Sequence, residues 1–437
     1  MIPVLREFDY ENMPVADIVN EILIDAVKKG ASDVHLDPRP DNLIIRIRID
    51  GELVDYTALP LGIKNHVTTK IKILAGMNIT ESRLPQDGAI KTTIEEKDLD
   101  LRVSTLPIVY GEKVVIRILD YTKSMEGLEN LGFSDESLAK LNRIINSPNG
   151  IILVTGATGT GKSTTVYAIL DKLNTKERNI ITVEDPVEMK IEGINQVQTQ
   201  AEIGLDFATS LRSILRQDPD TIMIGEIRDD ETARIAVRAA ITGHLVLSTI
   251  HTNNSLNTIE RLLDMEVERY LLGSALTGIV SQRLTKKLCP KCRTTRQTTD
   301  YEKNIFKKVL GLDINHIYEP VGCDECYKGY KGRIAIQEVL GVNQDIRDAI
   351  LSNIRKDKLR EIIYKKGKTI SLLQDGLEKV MNGLTSFDEV LRVIEVDNDF
   401  GDDEQDIKDA LIGRTTLNSN PVETDNIQIE KIETLEF

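Results

Sequence analysis

The stretch GATGTGKS at residues 156–163 follows directly on the apolar run IILV at residues 151–154. A buried strand, a glycine-rich loop and a helix in this order are typical of a phosphate-binding loop, because glycines let backbone N–H groups turn toward phosphate oxygens. In such a loop Lys162 reaches the outer phosphates and the hydroxyl of Ser163 binds Mg²⁺. The pattern predicts binding of a nucleoside triphosphate, with a glycine-rich turn without ligand as the alternative. The predicted nucleotide-binding residues are Gly156, Ala157, Thr158, Gly159, Thr160, Gly161, Lys162, Ser163 and Thr164.

Four short apolar runs between residues 150 and 251 alternate with segments of helical periodicity. They occupy residues 151–154, 180–183, 222–224 and 245–250. Such alternation predicts a parallel sheet with helices on both faces. Each run ends in polar residues, and ligands of open α/β sheets bind beyond the carboxyl ends of the strands. We therefore expect the four endings to meet at one nucleotide.

Carboxylates follow two of these runs. Glu226 comes after TIMIG at residues 221–225, where a carboxylate can orient or deprotonate the water that attacks a γ-phosphate. We predict that Glu226 is the catalytic base. Glu184 and Asp185 end the neighbouring run and can support Mg²⁺ through water or polarise the same nucleophile, with Glu188 as a further candidate. A helix cap or a solvated turn is the alternative for any one of them.

Two histidines border the fourth run. His251 follows it, so its ring can donate to a γ-phosphate oxygen and report hydrolysis. His244 precedes the run and is expected at the opposite end of the strand. A histidine with a purely structural role is the alternative for both. We predict a place in the site for His251 only.

Arginines are a further kind of candidate, because a guanidinium from a neighbouring element or subunit commonly stabilises a transferred phosphoryl group. For any single arginine, a solvated strand face or a surface ion pair is the alternative. The predicted catalytic arginines are Arg102, Arg117, Arg216 and Arg228, and the other candidates are Arg212 and Arg333.

The four cysteines of the chain lie in CPKC at residues 289–292 and CDEC at residues 323–326. Two such pairs can each bind one side of a tetrahedral ion, and Zn²⁺ is the first choice for four thiolates. The segment between the pairs is wide enough for a short helical insertion. Reduced cysteines without a ligand, or a redox pair, are the alternatives. The predicted zinc ligands are Cys289, Cys292, Cys323 and Cys326.

The composition limits the classes of protein that fit. The chain has 437 residues, of which 41% are hydrophobic, a formal net charge of −15 and a pI near 5.0. This length predicts two to four globular domains. The apolar runs are far shorter than the roughly 20 residues that cross a bilayer, and the N-terminus lacks a signal-peptide pattern, so we expect a soluble cytoplasmic protein. The acidic balance opposes a nucleic acid wrapped over the whole surface, although a local basic pore stays compatible.

Changes of pattern along the chain predict its organisation. A helix is expected near residues 15–29, and an alternating strand ends at a turn formed by Asp50 and Gly51. Helical character returns at residues 372–381 and 387–394. The predicted segments are an N-terminal α/β domain at 1–119, a linker at 120–130, a nucleotide-binding core at 131–285, a four-cysteine metal-binding subdomain at 286–335, a helical subdomain at 336–396 and an acidic, mostly disordered tail at 397–437.

Many local motifs over residues 30–395 together resemble one family, the secretion ATPases that power type II secretion and type IV pilus assembly. The motifs are ASDVHLDP, IRIDGEL, RLPQDGAI, RVSTLP with GEKVVIRIL, the phosphate-binding loop, ITVEDPVE, LRSILRQDPDTIMIGEIRD, GHLVLSTIHTN, QRL at 282–284, the cysteine pairs, GYKGR and LLQDGLEKVMNGLTSFDEVLR.

The resemblance implies a fold and a set of roles. The fold would be α/β, with a RecA-like P-loop ATPase domain, a PAS-like N-terminal domain, a zinc-binding insertion with four cysteine ligands and a helical C-terminal region. Glu226 would be the Walker B glutamate, and the segments around Glu184 and at residues 243–252 would be the aspartate and histidine boxes. Arg102 and Arg117 would lie on a domain that swings onto the nucleotide, and the other arginines would serve the site or the subunit contacts.

The resemblance also implies partners. Such enzymes bind ATP with Mg²⁺ and work as homo-hexameric rings at the cytoplasmic face of the membrane, where a membrane platform protein receives the motion. Membrane association would be peripheral, through partners, and no direct contact with nucleic acid is expected. The cysteine segment points to the assembly and secretion branch of the family.

Two other functions stay open at this point. A RecA-like nucleic-acid translocase or a DNA-uptake (competence) motor would use the same loop and ring. A nucleotide-gated scaffold would bind ATP without useful hydrolysis.

Overall fold

The computed structural model describes residues 8–9, 12–119 and 127–394. Most of the predicted linker and the whole predicted acidic tail lie outside these residues. The last part of the predicted linker forms a short 3₁₀ helix at Leu128–Asn130.

The N-terminal region consists of a six-stranded sheet and two helices. Neighbouring strands of the sheet are antiparallel, in the order β3-β2-β1-β6-β5-β4. The elements are α1 (Val15–Lys28), β1 (Ala31–Pro38), β2 (Asn42–Ile49), β3 (Glu52–Pro60), α2 (Leu61–Leu74), β4 (Gln86–Ile94), β5 (Lys97–Ile108) and β6 (Gly111–Leu119).

Alternation along the strands gives this sheet one apolar face and one polar face. Val34 and Leu36 of β1 are buried in a core shared with the two helices, whereas Asp33, His35 and Asp37 occupy the alternate positions. The predicted turn joins β2 to β3. Its residues Asp50 and Gly51 have φ values of 48° and 89°, as a two-residue hairpin turn of the primed type requires.

The central region is a seven-stranded sheet with helices on both faces. The sheet order is β15-β12-β7-β11-β10-β8-β9. The elements are α3 (Asp135–Ile145), β7 (Gly150–Thr155), α4 (Lys162–Leu173), β8 (Ile180–Glu184), β9 (Asn195–Gln198), α5 (Phe207–Ile214), β10 (Thr221–Ile224), α6 (Asp230–Ile241), β11 (Leu245–Ile250), α7 (Ser255–Asp264), α8 (Arg269–Ala275), β12 (Leu276–Leu288) and β15 (Tyr330–Gly341), with a 3₁₀ turn at Ala201–Ile203.

The four apolar runs of the sequence are the strands β7, β8, β10 and β11. Each pairs in parallel with its neighbours, so the predicted parallel sheet is confirmed. Every residue of β7, β10 and β11 is buried, which is the burial expected where helices cover both faces of a parallel sheet.

The longest strand of this sheet, β12, was not predicted from the sequence. It pairs in parallel with β7 and antiparallel with β15. The boundaries predicted at 285/286 and 335/336 therefore fall inside two paired strands. The strand escaped prediction because polar residues such as Gln282 and Thr285 interrupt its apolar pattern, although both are buried.

The cysteine segment and the C-terminal region pack together beside this strand pair. A helix does lie between the two cysteine pairs, as expected, and it shares an apolar core with the last two helices around Phe306 and Phe387. The elements are β13 (Thr294–Gln297), α9 (Asp300–Leu310), β14 (His316–Glu319), α10 (Gln344–Leu351), α11 (Lys356–Arg360), a π-helix at Glu361–Lys366, α12 (Leu372–Met381) and α13 (Phe387–Val393).

Candidate nucleotide site and cysteine cluster

The phosphate-binding loop connects the end of β7 to the first turn of α4. Gly156, Gly159 and Gly161 have φ values of 154°, 79° and 87°, a backbone conformation that side chains other than glycine rarely adopt. A Cβ on Gly156 would lie 2.4 Å from the Thr160 hydroxyl and 2.6 Å from the Gln282 carbonyl oxygen. Close packing thus excludes a side chain at Gly156, and the positive φ values favour glycine at Gly159 and Gly161.

Lys162 is the first residue of α4, and its side chain turns back onto the loop. Its Nζ donates to the carbonyl oxygens of Gly156, at 2.8 Å, and Ala157, at 3.1 Å. Burial lowers the pKa of Lys162, the Glu226 carboxylate opposes that shift, and Arg283 adds to it. The ammonium group therefore lies within the electrostatic reach of the residues that end the neighbouring strands.

Glu226 lies beyond β10, and two cationic or polar side chains face it. The guanidinium of Arg228 donates to one carboxylate oxygen, and Nε2 of His251 lies 3.5 Å from the other. Asp185, beyond β8, has an oxygen 3.9 Å from the same guanidinium. A backbone hydrogen bond of 2.9 Å from Ile227 to the Thr249 carbonyl holds the Glu226 segment against β11. The structure thus brings Glu226, Asp185, His251 and Lys162 together at one edge of the sheet.

His251 is half-exposed beside this cluster. Burial is the main reason that its pKa is lowered, and the charge of Lys162 lowers it further, while Glu226 acts in the opposite direction. A lowered pKa favours the neutral imidazole, which keeps one ring N–H to donate.

Glu184 has a different environment from the one that the sequence led us to expect. Its side chain is buried, and the Tyr167 hydroxyl donates to one of its oxygens. The other oxygen accepts from the Thr182 hydroxyl at 2.5 Å and from the amide of Gln196 at 3.1 Å. Because both oxygens are engaged by these groups, Glu184 is placed to support the site rather than to meet a nucleotide directly. As the last residue of β8 it points into the protein, whereas Asp185 points out.

The further candidate Glu188 lies next to the loop serine. Its Oε1 accepts a hydrogen bond of 3.3 Å from the Ser163 hydroxyl. A serine hydroxyl and a carboxylate are both oxygen ligands of the kind that Mg²⁺ uses, directly or through water. These two residues therefore fit the ion that the phosphate-binding loop implies.

Two of the predicted arginines lie on the N-terminal sheet and line a cleft of about 1360 Å³ between that sheet and residues 186–190. Arg102 of β5 donates to the Val187 carbonyl at 3.2 Å. Arg117 of β6 pairs with Asp33 at 3.2 Å, and its side chain is 67% exposed. Arg102 thus contacts the segment that carries Glu188, whereas Arg117 lines the same cleft but pairs with Asp33 of its own sheet.

The remaining candidates contact other parts of the molecule. Arg216 donates to the Arg212 carbonyl and to the Ser213 hydroxyl, one turn earlier. Arg212 pairs with Glu231 of α6, and Arg333 is exposed on β15. The His244 ring lies near the Ala239 carbonyl, at the opposite end of β11 from His251, as expected.

The sequence assigned no role to Gln282 and Arg283 of β12, although both belong to the QRL motif at residues 282–284. Gln282 is buried; its amide donates to the Thr160 carbonyl and its oxygen accepts from the Thr165 hydroxyl, both at 2.8 Å. Arg283 donates to the backbone carbonyl and the side chain of Asn253, at 3.0 Å each. The signal that could have found them is a pair of polar residues inside an otherwise apolar run.

The four cysteines form a compact cluster. All their Sγ atoms lie within 4.8 Å of one another. The Sγ atoms of Cys289 and Cys323 are 4.0 Å apart, and those of Cys292 and Cys326 are 3.6 Å apart. A tetrahedral ion with Zn–S bonds of about 2.3 Å separates its sulfurs by about 3.8 Å. The donor set and its spacing therefore fit a zinc ion.

Backbone amides support the same cluster. The N–H groups of Gly322 and Cys323 donate to the Sγ atoms of Cys292 and Cys326, each at 3.3 Å. Such donors stabilise thiolates and orient them toward a metal.

Over the residues that the structure describes, the chain contains no helix with both the length and the apolar character needed to cross a bilayer.

Comparison with known proteins gives three consistent results. The family model described as "Type II/IV secretion system protein" matches residues 9–392. The type II secretion system protein E of Xanthomonas campestris pv. campestris is 46% identical over 396 residues, which cover 90% of this chain and 70% of that protein. The type IV pilus assembly ATPase PilB of Myxococcus xanthus is 45% identical over 385 residues, covering 87% and 68%.

A solved structure shares the same fold. The crystal structure of the pilus retraction motor PilT with bound ADP is 26% identical and covers 87% of this chain and 97% of that one, with a TM-score of 0.58. Together with the parallel sheet, its glycine-rich loop and the residues that meet beside it, these similarities establish that the chain belongs to the type II/IV secretion system protein family and is an ATPase.

Proposed function

We propose that this ATPase is the motor of a type IV pilus assembly or type II secretion machine. The observation that carries the proposal is the meeting of Lys162, Glu226 and Asp185 at the carboxyl edge of one sheet, in a chain closely similar to proteins named for those two machines. The cleft separates the N-terminal sheet from residues 186–190, and relative movement of the two regions across it is part of the proposal.

The residues divide the reaction among them. The backbone N–H groups of the glycine loop and the Lys162 ammonium bind the phosphates. Ser163, with Glu188 beside it, would hold Mg²⁺, which neutralises phosphate charge when bound. Glu226 orients or deprotonates the attacking water, and Arg228 and His251 hold its carboxylate in place. The Asp185 carboxylate, 3.9 Å from the Arg228 guanidinium, helps to orient that guanidinium.

Arg102 and Arg117 link hydrolysis to movement. They lie on the N-terminal sheet and face the cleft, so their attraction to the phosphates would draw that sheet toward the nucleotide. Loss of the γ-phosphate would weaken this attraction and let the cleft open. Contacts between subunits of a homo-hexameric ring are the role that we propose for the arginines outside the site, which are Arg212, Arg216 and Arg333.

The motor would act at the cytoplasmic face of the membrane. A platform protein in that membrane would receive the motion, so that the chain itself associates only peripherally. The cysteine cluster would hold a structural zinc ion next to the strand pair of β12 and β15.

Turnover of purified protein tests the catalytic assignment. We expect Mg²⁺-dependent ATP hydrolysis by the parent chain. Lys162→Ala should abolish nucleotide binding, whereas Glu226→Gln should keep binding and lower kcat by about 100-fold, since it removes only the base. Lys172→Ala, at the other end of the same helix, and the surface change Glu260→Gln are the matched controls. Equal, negligible rates in parent and variants, even with a partner present, would instead favour a scaffold.

The choice of partner tests the motor assignment. We expect the cytoplasmic domain of a platform protein to stimulate turnover and the full chain to co-purify with it and with pilin-like subunits. Stimulation by DNA together with indifference to the platform domain would reject the secretion motor in favour of a nucleic-acid translocase.

A further inference from the structure

The loop at residues 185–191 forms one wall of the cleft and contacts both the N-terminal sheet and the phosphate-binding loop. The Val187 carbonyl accepts from Arg102 of the N-terminal sheet, and the Glu188 carboxylate accepts from Ser163 of the phosphate-binding loop. The position of this loop therefore decides where a carboxylate stands relative to the serine that is expected to bind Mg²⁺.

The side chain of Tyr167 forms hydrogen bonds with the backbone of this loop. It lies in α4 with only 3% of its surface exposed. Its hydroxyl donates to Glu184 and accepts from the backbone N–H groups of Glu188, at 3.3 Å, and Met189, at 3.4 Å. A tyrosine hydroxyl has one hydrogen to donate and can accept two hydrogen bonds, so Glu184 and the two loop N–H groups together use all of its capacity.

Gln196 of β9 closes the network. Its amide donates to the second oxygen of the Glu184 carboxylate at 3.1 Å and to the Met189 carbonyl at 2.8 Å. Its side-chain oxygen accepts from the Ile191 N–H at 2.8 Å. The loop is therefore held by side chains from α4 and β9, and Glu184 of β8 links those two side chains.

The direction of the central hydrogen bond is settled by charge. Burial raises the pKa of Tyr167 far above its ordinary value, and the neighbouring Glu184 carboxylate raises it further. The Tyr167 hydroxyl therefore keeps its proton and donates it to the Glu184 carboxylate. The lone pairs of the hydroxyl oxygen then accept from the two backbone N–H groups.

We propose that Tyr167 and Glu184 are positioning residues that hold Glu188 beside Ser163 and thereby set the affinity of the nucleotide site for Mg²⁺. This inference rests on the proposed function of the site. Neither residue is assigned a contact with the nucleotide; both act through the loop that carries Glu188. An ordinary core role would leave the Mg²⁺ dependence of nucleotide binding unchanged.

Binding of a fluorescent, non-hydrolysable ATP analogue to the full chain tests the proposal. The analogue is titrated in EDTA and at increasing Mg²⁺. For Tyr167→Phe, which keeps the ring and removes the hydroxyl, we expect affinity in EDTA within twofold of the parent. The Mg²⁺ concentration for half-maximal tight binding should rise about tenfold, the typical loss when an outer-shell partner of a metal site is removed. Glu188→Gln should behave in the same way.

A double variant separates a shared pathway from two independent effects. If Tyr167 acts through Glu188, the Tyr167→Phe/Glu188→Gln protein should need no more Mg²⁺ than Glu188→Gln alone. Tyr56→Phe is the matched control, since its buried hydroxyl donates to the Asp25 carboxylate at 2.7 Å in the N-terminal region. We expect its Mg²⁺ dependence to equal that of the parent.

The outcomes that overturn the proposal are distinct from failure of the site itself. An unchanged Mg²⁺ dependence in Tyr167→Phe, or additive shifts in the double variant, rejects the positioning role while leaving the ATPase assignment intact. A parent chain that does not bind the analogue rejects the proposed function instead. Should Tyr167→Phe fail to fold, Gln196→Leu carries the test, with a smaller shift expected in the same direction.

Discussion

The Glu226 carboxylate accepts a hydrogen bond from Arg228 and lies beside the ring of His251. Arg228 follows β10 and His251 follows β11, so two different segments contact the same carboxylate. The rule that polar residues beyond parallel strands converge was enough to select Glu226 and His251 from the sequence, whereas Arg228 was selected as a possible partner of the phosphoryl group. The same rule misassigned the surroundings of Glu184, because the direction of a side chain at a strand end depends on the strand's exact last residue. One position separates the buried Glu184 from the exposed Asp185, and sequence patterns do not locate an end that closely.

A prediction at the residue scale concerns the charge of His251. Because burial and the Lys162 ammonium both disfavour the protonated ring, its pKa should lie below the ordinary value of 6.5. The unfolded chain then binds this proton at a higher pH than the folded chain does, so the group removes stability as the pH falls through about 6.5 toward the folded pKa.

The measurement is an NMR titration of isotope-labelled histidine. The chain has five histidines, few enough for His251→Asn to assign the signal by its disappearance. We expect a midpoint below 6.5 in the parent. Glu226→Gln should lower it further, since that carboxylate favours the imidazolium. A midpoint at or above 6.5 in the parent would mean that Glu226 outweighs burial and Lys162.

At the scale of elements, β12 is the support on which the phosphate-binding loop rests. Gln282 bonds to the loop at Thr160 and to α4 at Thr165, and its own carbonyl leaves no room for a side chain at Gly156. The loop's shape is therefore held by a strand more than 100 residues away in the sequence.

This arrangement predicts the effect of Gln282→Leu. The substitution keeps the volume but removes both bonds, and leaves a buried carbonyl and a hydroxyl without those partners, at a cost of about 1–3 kcal/mol. We expect a lower melting temperature together with nucleotide affinity reduced about tenfold, measured with a fluorescent ATP analogue.

The control lies on the same strand. The buried Thr285 hydroxyl donates to the Ile334 carbonyl at 3.2 Å, on the side of β15. Thr285→Val should lower stability while nucleotide affinity stays at the parent value. Equal affinities for Gln282→Leu and Thr285→Val would show that β12 does not shape the phosphate-binding loop.

At the scale of the whole molecule, the N-terminal region touches the cysteine segment. The β2–β3 hairpin reaches the segment after the second cysteine pair. Asp50 accepts from the N–H of Gly332, at the start of β15, at 2.9 Å, and Glu52 pairs with Lys328, in the loop before β15, at 3.2 Å. Glu52 also pairs with Lys286 of β12, which in turn lies 3.3 Å from Glu389 of α13. The cysteine cluster thus sits beside a junction of three parts of the chain.

Removal of zinc should therefore loosen the structure of neighbouring segments as well as that of the cysteine cluster. We expect elemental analysis of purified protein to find one zinc per chain, and a strong chelator to raise hydrogen–deuterium exchange over residues 289–332, including the Gly332 amide that bonds to Asp50. Exchange in the phosphate-binding loop serves as the internal reference and should not change. Protein without zinc whose four thiols all titrate freely would rule the metal site out.

The sequence by itself determined the phosphate-binding loop, the four parallel strands behind it and the spacing of the cysteines. These features depend on neighbours within a few residues: glycine is needed for unusual φ values, an apolar run for a buried strand, and CxxC spacing for two ligands of one ion. Because these features depend on residues that are close in the sequence, they could be predicted from it. The resemblance of the same motifs to one family predicted the ATPase activity.

Only the tertiary structure decided which distant residues support that chemistry. Gln282 meets the phosphate-binding loop, Tyr167 and Gln196 hold the loop that carries Glu188, and Arg102 reaches Val187 across the cleft. The sheet order places β12 beside β7 and β9 beside β8, whereas the packing of the N-terminal sheet against the central region brings Arg102 to Val187. Such contacts depend on strand order, on strand ends and on the packing of two regions. Strand order, strand ends and the packing of the two regions depend on apolar surfaces formed by many residues that are distant in the sequence. A short stretch of sequence therefore does not predict them.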